Sequence, residues 1–324
     1  MSPQISVVIP CFNARLTIER LLLGLLQQTL PQNLYEIIVV DDGSTDNTCL
    51  LIAKFSEVIL LRQVRRGPGA ARMTGTLAAK GNYILYVDSD VDVVNDLIER
   101  HLSFHLEHPD IAATGGSVVP DRKLPLFSWL LMDHLSSWFN VHPKACFMRN
   151  PEYFPGLNFC INKKRVFEDH QITWNAGLEH TGEDVIFCHA IRRQGMKMVF
   201  VPDAIVKHRD RQTLKEHLSH MYRWGHHAPF VRGTLPKMKY SFLFPRRLAI
   251  LICLLPSIII GYTFLIWKSW LRVRPIAVTL SLPQLIIGRM AYACGVVRGT
   301  RARNQKEAGN IPTTANLQAS LGEY

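Results

Sequence analysis

An α/β fold built on a mainly parallel sheet is predicted by two features of the sequence. Short β-branched and aliphatic runs alternate with helical stretches through the first 120 residues, and each run is apolar throughout, as strands buried on both faces are. Polar and acidic residues also gather just after those runs, at the edge where open α/β sheets bind ligands. The elements follow in order. Ile5–Ile9, Glu36–Val40, Val58–Leu61, Tyr83–Val87 and Ala112–Val119 read as strands. Between them Ala14–Gln28, Thr45–Lys54, Gly69–Ala79 and Val93–His108 have helical apolar spacing, and right-handed crossovers through such helices make the strands parallel.

Residues 121–210 are less regular. Leu124–Phe139, with Phe127, Trp129, Leu130, Leu131, Leu135 and Trp138, reads as an amphipathic helix. Gly182–Gln194 reads as a helix, Met198–Phe200 as a strand and Leu214–Trp224 as a helix. No internal repeat is present.

Composition narrows the class. At 48% hydrophobic and 19% charged the chain buries a sizeable core and is not disordered. Its seven cysteines include no C-x-x-C pair, which excludes a zinc ribbon and a disulfide scaffold and predicts a reducing compartment. No basic segment followed by an apolar one opens the chain, so a secretory leader is not expected and the catalytic part is expected in the cytosol.

The net charge is 37 − 26 = +11, unevenly placed. Residues 1–240 hold 27 basic and 24 acidic side chains (+3), and residues 241–324 hold 10 and 2 (+8). The late surplus flanks apolar runs, which points to a membrane surface and away from nucleic acid. Leu248–Trp267 is 20 residues without a charge, long enough to span a bilayer. Within Pro275–Val297 only Ile276–Gly288 is charge-free, so it reads either as a second span or as a re-entrant or interfacial helix. Basic residues (Lys237, Lys239, Arg246 and Arg247; Lys268, Arg272 and Arg274; Arg298, Arg301, Arg303 and Lys306) flank both segments. The expected organisation is a catalytic domain over 1–240, split into a nucleotide-binding half (1–120) and an acceptor-binding half (121–240). A membrane-associated helical hairpin follows over 241–300, then a mobile polar tail over 301–324. A buried core hairpin of a soluble protein is the other reading of residues 241–300.

Chemistry concentrates at strand ends. In Tyr86-Val87-Asp88-Ser89-Asp90, positions i and i+2 of an extended chain face one way, so Asp88 and Asp90 converge. Two such carboxylates suit a divalent cation, Mn²⁺ or Mg²⁺, shared with a diphosphate; they equally suit a helix start capped by Asp90 or Asp92. Asp41-Asp42-Gly43-Ser44-Thr45-Asp46 and Pro10-Cys11-Phe12-Asn13 close two more strands on the same edge. Turn and capping chemistry accounts for Gly43 and Ser44 but not for paired Asp41 and Asp42. Arg65-Arg66-Gly67-Pro68-Gly69-Ala70-Ala71-Arg72 opens a helix, and Arg72 is in reach of a phosphate there. In Gly182-Glu183-Asp184 the carboxylates are either helix-dipole partners or a general base. His208 follows a short strand as a possible metal ligand among 13 histidines. Arg223-Trp224 suits an acceptor channel or an interfacial anchor.

Taken in order, Val7-Val8-Ile9-Pro10-Cys11-Phe12-Asn13, Asp41–Asp46, Ala71-Arg72 with Gly75, Asp88-Ser89-Asp90, Gly156-Leu157-Asn158, Gly182-Glu183-Asp184 and Arg223-Trp224 resemble the family 2 glycosyltransferases. The resemblance covers residues 5–230. It implies the GT-A fold (Rossmann-like, with helices on both faces of the sheet) and transfer of a sugar from a nucleotide sugar, with inversion and a divalent cation. It also implies roles. Pro10, Phe12, Asn13, Asp41, Asp42, Arg72, Asp88 and Ser89 would bind the nucleotide sugar, and Asp90 and His208 would hold the metal. Asp184 would be the catalytic base, with Glu183, Arg223 and Trp224 on the acceptor side. Two positions depart from the family pattern: Met73 replaces an Asn, and His220 replaces the Gln of a Gln-x-x-Arg-Trp element. The second departure argues for a non-processive enzyme with a lipid-linked or glycan acceptor at the cytoplasmic face of the cell membrane. A nucleotidyltransferase would have a glycine-rich loop after its first strand, where this chain has Pro10–Ala14. A non-catalytic membrane-anchored protein of the same fold would not need Asp88, Asp90 and Asp184 together.

Overall fold

The computed structural model describes residues 2–122, 135, 153–174, 182–209, 211, 213–233, 235, 238, 240–272 and 274–308. They divide into two units, one of residues 1–122 and 142–209, the other of residues 123–141 and 210–324. The division thus falls at 209/210, earlier than the change expected at 240.

The first unit runs β1 (Ile5–Cys11), α1 (Ile18–Leu26), β2 (Tyr35–Asp41), α2 (Thr48–Ile52), β3 (Val58–Arg62), α3 (Pro68–Ala78), β4 (Tyr83–Val87), β5 (Val91–Val93), α4 (Leu97–Glu107), β6 (Ile111–Pro120), β7 (Asn158–Asn162), α5 (Glu183–Arg193) and β8 (Lys197–His208). The strands form one sheet ordered β3-β2-β1-β4-β7-β6-β8-β5. All seven residues of β1 are buried, as expected of a strand covered on both faces. α1 buries Ile18, Leu21, Leu22 and Leu25, one stripe at helical spacing. Each such aliphatic side chain contributes about 1.5–3 kcal/mol by leaving water.

From β3 to β4 the sheet is parallel. Beyond β4 it is mixed: β7 is antiparallel to both β4 and β6, and β5 antiparallel to β8. The parallel half contains the switch point, where the chain leaves β1 for β2 and β3 and returns to β4 on the other side of β1. Asp41 and the Asp88–Asp90 turn lie at that edge.

Several expected boundaries move. Val91 does not start a helix. Val91–Val93 is an edge strand whose Val91 pairs with His208, and α4 begins at Leu97. β8 is far longer than Met198–Phe200, and β7 appears where only a motif was read. The expected helix Leu124–Phe139 lies outside the described residues except for Leu135.

The second unit contains α6 (Leu214–Val231), α7 (Leu248–Pro256), a π-helical turn (Ser257–Gly261), α8 (Tyr262–Trp270), α9 (Pro275–Leu280) and α10 (Leu282–Ala308). Leu248–Trp270 is one 23-residue helical stretch, and by length and composition it alone among the described residues is apolar enough to cross a membrane. The second apolar segment belongs to α10 and α9, and the tail expected to be mobile from Arg301 is helical to Ala308.

Candidate active site

Arg72, only 2% exposed on α3, organises the acidic residues of the first unit. Its Nη2 donates to Asp88 Oδ1 at 2.6 Å and its Nη1 to Glu183 Oε1 at 2.7 Å. The guanidinium lies 5.0 Å from the centre of the Trp174 ring. Gly156 packs against it: a Cβ there would stand 2.7 Å from Arg72 Cζ and Nη2, so any larger residue would push the guanidinium aside. A buried cation needs paired partners to offset its desolvation, and two carboxylates provide them. Arg72 Nε and Glu183 Oε2 are buried without a hydrogen-bond partner among the described residues.

Gly182 has φ of 97°, a left-handed conformation that favours glycine, and it turns the chain into α5. Glu183 and Asp184 therefore occupy the first turn, where backbone N–H groups favour negative charge. Asp184 is half-buried, and its Oδ1 accepts from Val185 N–H at 2.8 Å. Burial, then the charge of Glu183, push its carboxyl up to about 7; Arg72 and the N–H groups of Val185 and Gly156 pull the other way. A carboxylate with such a pKa can take a proton near neutrality.

Asp90 and His208 meet through β-pairing. The register that sets Val91 against His208 leaves His208 Nε2 3.8 Å from Asp90 Oδ2. Both side chains reach solvent, Asp90 at 49% and His208 at 14%. No group of three or more His, Cys, Asp or Glu that could hold a metal ion is found among the described residues. One carboxylate and one imidazole nevertheless fit a divalent cation that takes its remaining ligands from substrate oxygens and water.

At the other end of the edge, Pro10 is buried within β1, and the Arg65 guanidinium lies 4.0 Å over the Phe12 ring. Asn13, with φ of 50°, bridges two loops: its N–H donates to Ser44 Oγ at 2.8 Å and its Oδ1 accepts from Thr45 N–H at 2.9 Å. Ser89 lies beside the buried Cys11 thiol.

Asp41 and Asp42 are both held by donors of the protein. Asp41 is fully buried, with both oxygens 3.3 Å from Ser44 N–H. Asp42 accepts from Gln63 Nε2 at 2.7 Å and from the N–H groups of Arg66 and Gly67, each at 2.8 Å. Asp42 thus supports the loop after β3, and Asp41 the turn that follows its own strand β2. Glu183 likewise faces Arg72, and Arg72 is enclosed by protein groups. Arg223 and Trp224 lie on α6 in the second unit, Arg223 exposed and the Trp224 ring 4.4 Å from that of His220. Arg65 was visible in the sequence only as a basic turn; its position over Phe12 is the contact that pattern reading missed.

Residues 6–171 match the profile of glycosyl transferase family 2, and the chain belongs to that family. It is 39% identical over 219 residues to a poly(ribitol-phosphate) beta-glucosyltransferase of Bacillus spizizenii, a match covering 61% of this chain and 34% of that one. It is 32% identical over 121 residues to the glycosyltransferase AglE of Haloferax volcanii, covering 36% and 40%. The chain thus spans well under half the length of either relative. Among solved structures, S. aureus TarS 1–349 in complex with UDP-GlcNAc has a TM-score of 0.51 at 17% identity, covering 93% of this chain and 92% of that one. That likeness is one of fold, and it supports the GT-A architecture.

Proposed function

We propose that the protein transfers a sugar from a nucleoside-diphosphate sugar to a hydroxyl of a lipid-linked or glycan acceptor, with inversion, at the cytoplasmic face of the cell membrane. The single observation that carries the reaction type is Asp184. It is a half-buried carboxylate pushed up to about 7, beside a Glu183 held by the same arginine that holds Asp88. The names of the relatives support the sugar and acceptor classes, with UDP-linked hexoses and polyol-phosphate polymers as first candidates.

In this reading Phe12, Asn13 and Arg65 form the nucleotide edge, with Asp41 and Asp42 fixing the loops that carry it. Asp88 faces ribose and sugar, oriented by Arg72. The acceptor oxygen attacks the anomeric carbon as the bond to the diphosphate breaks, and the hydroxyl proton passes to Asp184. One attack from the opposite face inverts the configuration. Asp90 and His208 would hold a divalent cation, which when bound supplies positive charge beside the diphosphate. Exclusion of water by the buried Arg72–Glu183–Trp174 cluster strengthens every charge interaction nearby.

The test is incubation of the purified chain with labelled nucleotide sugars and candidate polymers, in Mn²⁺, Mg²⁺ or chelator. The anomeric configuration of the product is read by NMR. A retained configuration, or full turnover by Asp184→Asn, would overturn the single-displacement reading. Unchanged rates in chelator would remove the cation.

A further inference from the structure

The second unit holds a hydrophobic helix of spanning length, yet it is not assembled like a spanning bundle. The α7–α8 stretch runs antiparallel to α10. Asn304 Nδ2 donates to the Arg246 carbonyl at 2.8 Å, Leu251 and Ile258 share a core with Tyr292 and Val296, and Ile266 and Trp270 share one with Leu285. α6 runs alongside α10 in the same direction. Its His217 lies beside Gly288, and at the far end Arg303 Nη1 donates to the Pro229 carbonyl at 2.9 Å.

Between those points the two backbones touch. A Cβ on Gly225 would stand 1.9 Å from the Tyr292 carbonyl oxygen, one on Gly295 2.1 Å from that of Tyr222, and one on Gly299 2.0 Å from that of His226. The helices are therefore locked over the whole of α6. That helix carries Lys215, Glu216 and Arg223, all exposed, besides four histidines. Threading α7–α8 through hydrocarbon would carry this polar helix in with it, and charged side chains are strongly disfavoured there.

The hairpin also presents large apolar side chains to its surroundings. Ile252, Ile260, Phe264, Ile276, Leu280 and Met290 are between 45 and 70% exposed. Exposed Arg246, Arg247, Lys268, Arg272 and Arg274 flank them along the chain, in a segment with 10 basic and 2 acidic residues. Exposed apolar side chains bordered by cations match the chemistry of an anionic bilayer surface.

We propose that the α7–α8/α10 hairpin lies in the plane of an anionic membrane interface and does not cross it, so that the turn carrying Arg272 and Arg274 stays on the catalytic side. This rests on the membrane location proposed above and specifies how it is achieved.

Two measurements on the full chain test it. Flotation with phosphatidylcholine vesicles, with and without phosphatidylglycerol, is expected to give binding about tenfold stronger with the anionic lipid and weakened by high salt. The double variant Ile260→Glu, Phe264→Glu is expected to lose that binding with an unchanged melting temperature, because both side chains are exposed. No binding to either vesicle would overturn the membrane location itself. The second measurement uses inverted membrane vesicles from expressing cells. Ser269→Cys, in a background with Cys49, Cys146, Cys253 and Cys294 changed to Ser, is expected to react with a membrane-impermeant maleimide without detergent. Reaction only after detergent, with vesicle binding intact, would place Ser269 across the membrane and overturn the in-plane arrangement alone.

Discussion

Arg72 Nη1 lies 2.7 Å from Glu183 Oε1, joining α3 to the start of α5 across 111 residues of sequence. The same guanidinium holds Asp88 at 2.6 Å. One cation therefore fixes the distance between the aspartate at the end of β4 and the turn that presents Asp184.

Arg72→Lys should be a severe variant, because a point-charge ammonium cannot bridge two carboxylates as the planar fork does. We expect kcat to fall about 10–100-fold, in line with a misplaced reacting geometry. In Arg72→Ala, which removes the charge, the acid limb of kcat/KM should move to higher pH, since Arg72 opposes the rise in the Asp184 pKa. Arg72→Ala, which leaves Glu183 buried and unpaired, should lower stability by about 3–5 kcal/mol in urea titrations.

Asp184 predicts opposite signs for activity and stability. As a base it must be ionised, so kcat/KM should fall as pH drops below about 7. Its folded pKa lies above the unfolded value of 3.8, so its stabilising contribution is complete below pH 3.8 and lost as pH rises through 7. Asp184→Asn should therefore melt higher than the parent at pH 8, bind nucleotide sugar by calorimetry, and lose about 10²–10⁴-fold in kcat.

Gly156→Ala adds one methyl group against the Arg72 guanidinium, 2.7 Å from Cζ. The arginine must shift. Activity should drop by more than about tenfold, with a stability loss near 1–3 kcal/mol from overpacking. A variant with parental kcat would show that the fork position is not needed.

A buried pair on α4 predicts acid sensitivity. His101 hydrogen-bonds with Thr114 Oγ1 at 2.8 Å and Asn158 Oδ1 at 2.9 Å, and His105 Nε2 lies 3.2 Å from the same threonine. Burial pushes His101 down to about 4 and His105 to about 3, from 6.5. Both are neutral in the fold and charge more readily when unfolded, so their contribution is full above pH 6.5 and is lost as pH falls toward 4 and 3. The melting temperature should decline across that window, and the decline should be shallower in His101→Gln, His105→Gln.

The parallel half of the sheet was legible because each strand is an unbroken apolar run ending in a polar turn. The mixed half was not. Val91–Val93 is too short to show a period and forms only because β8 offers it a partner, so its residues read as a helix start. The acidic clusters were found from the strand ends that carry them, but their roles depended on partners remote in sequence. The partners of Asp42, for example, are Gln63, Arg66 and Gly67, more than 20 residues further along the chain. Likewise no local pattern relates Arg72 to Glu183. The C-terminal segment was readable as apolar with basic flanks; the glycine contacts that lock α10 to α6 follow from neither hydropathy nor charge.

The strand β7 is inserted antiparallel between β4 and β6, in register from Ala113 against Ile161. Residues 121–157 thus leave one strand and return to its immediate neighbour, as a detour rooted in a fixed ladder. Closing a longer detour costs only about 0.6 kcal/mol for each doubling of its length. A longer connection between these two strands therefore adds little to the cost of pairing them.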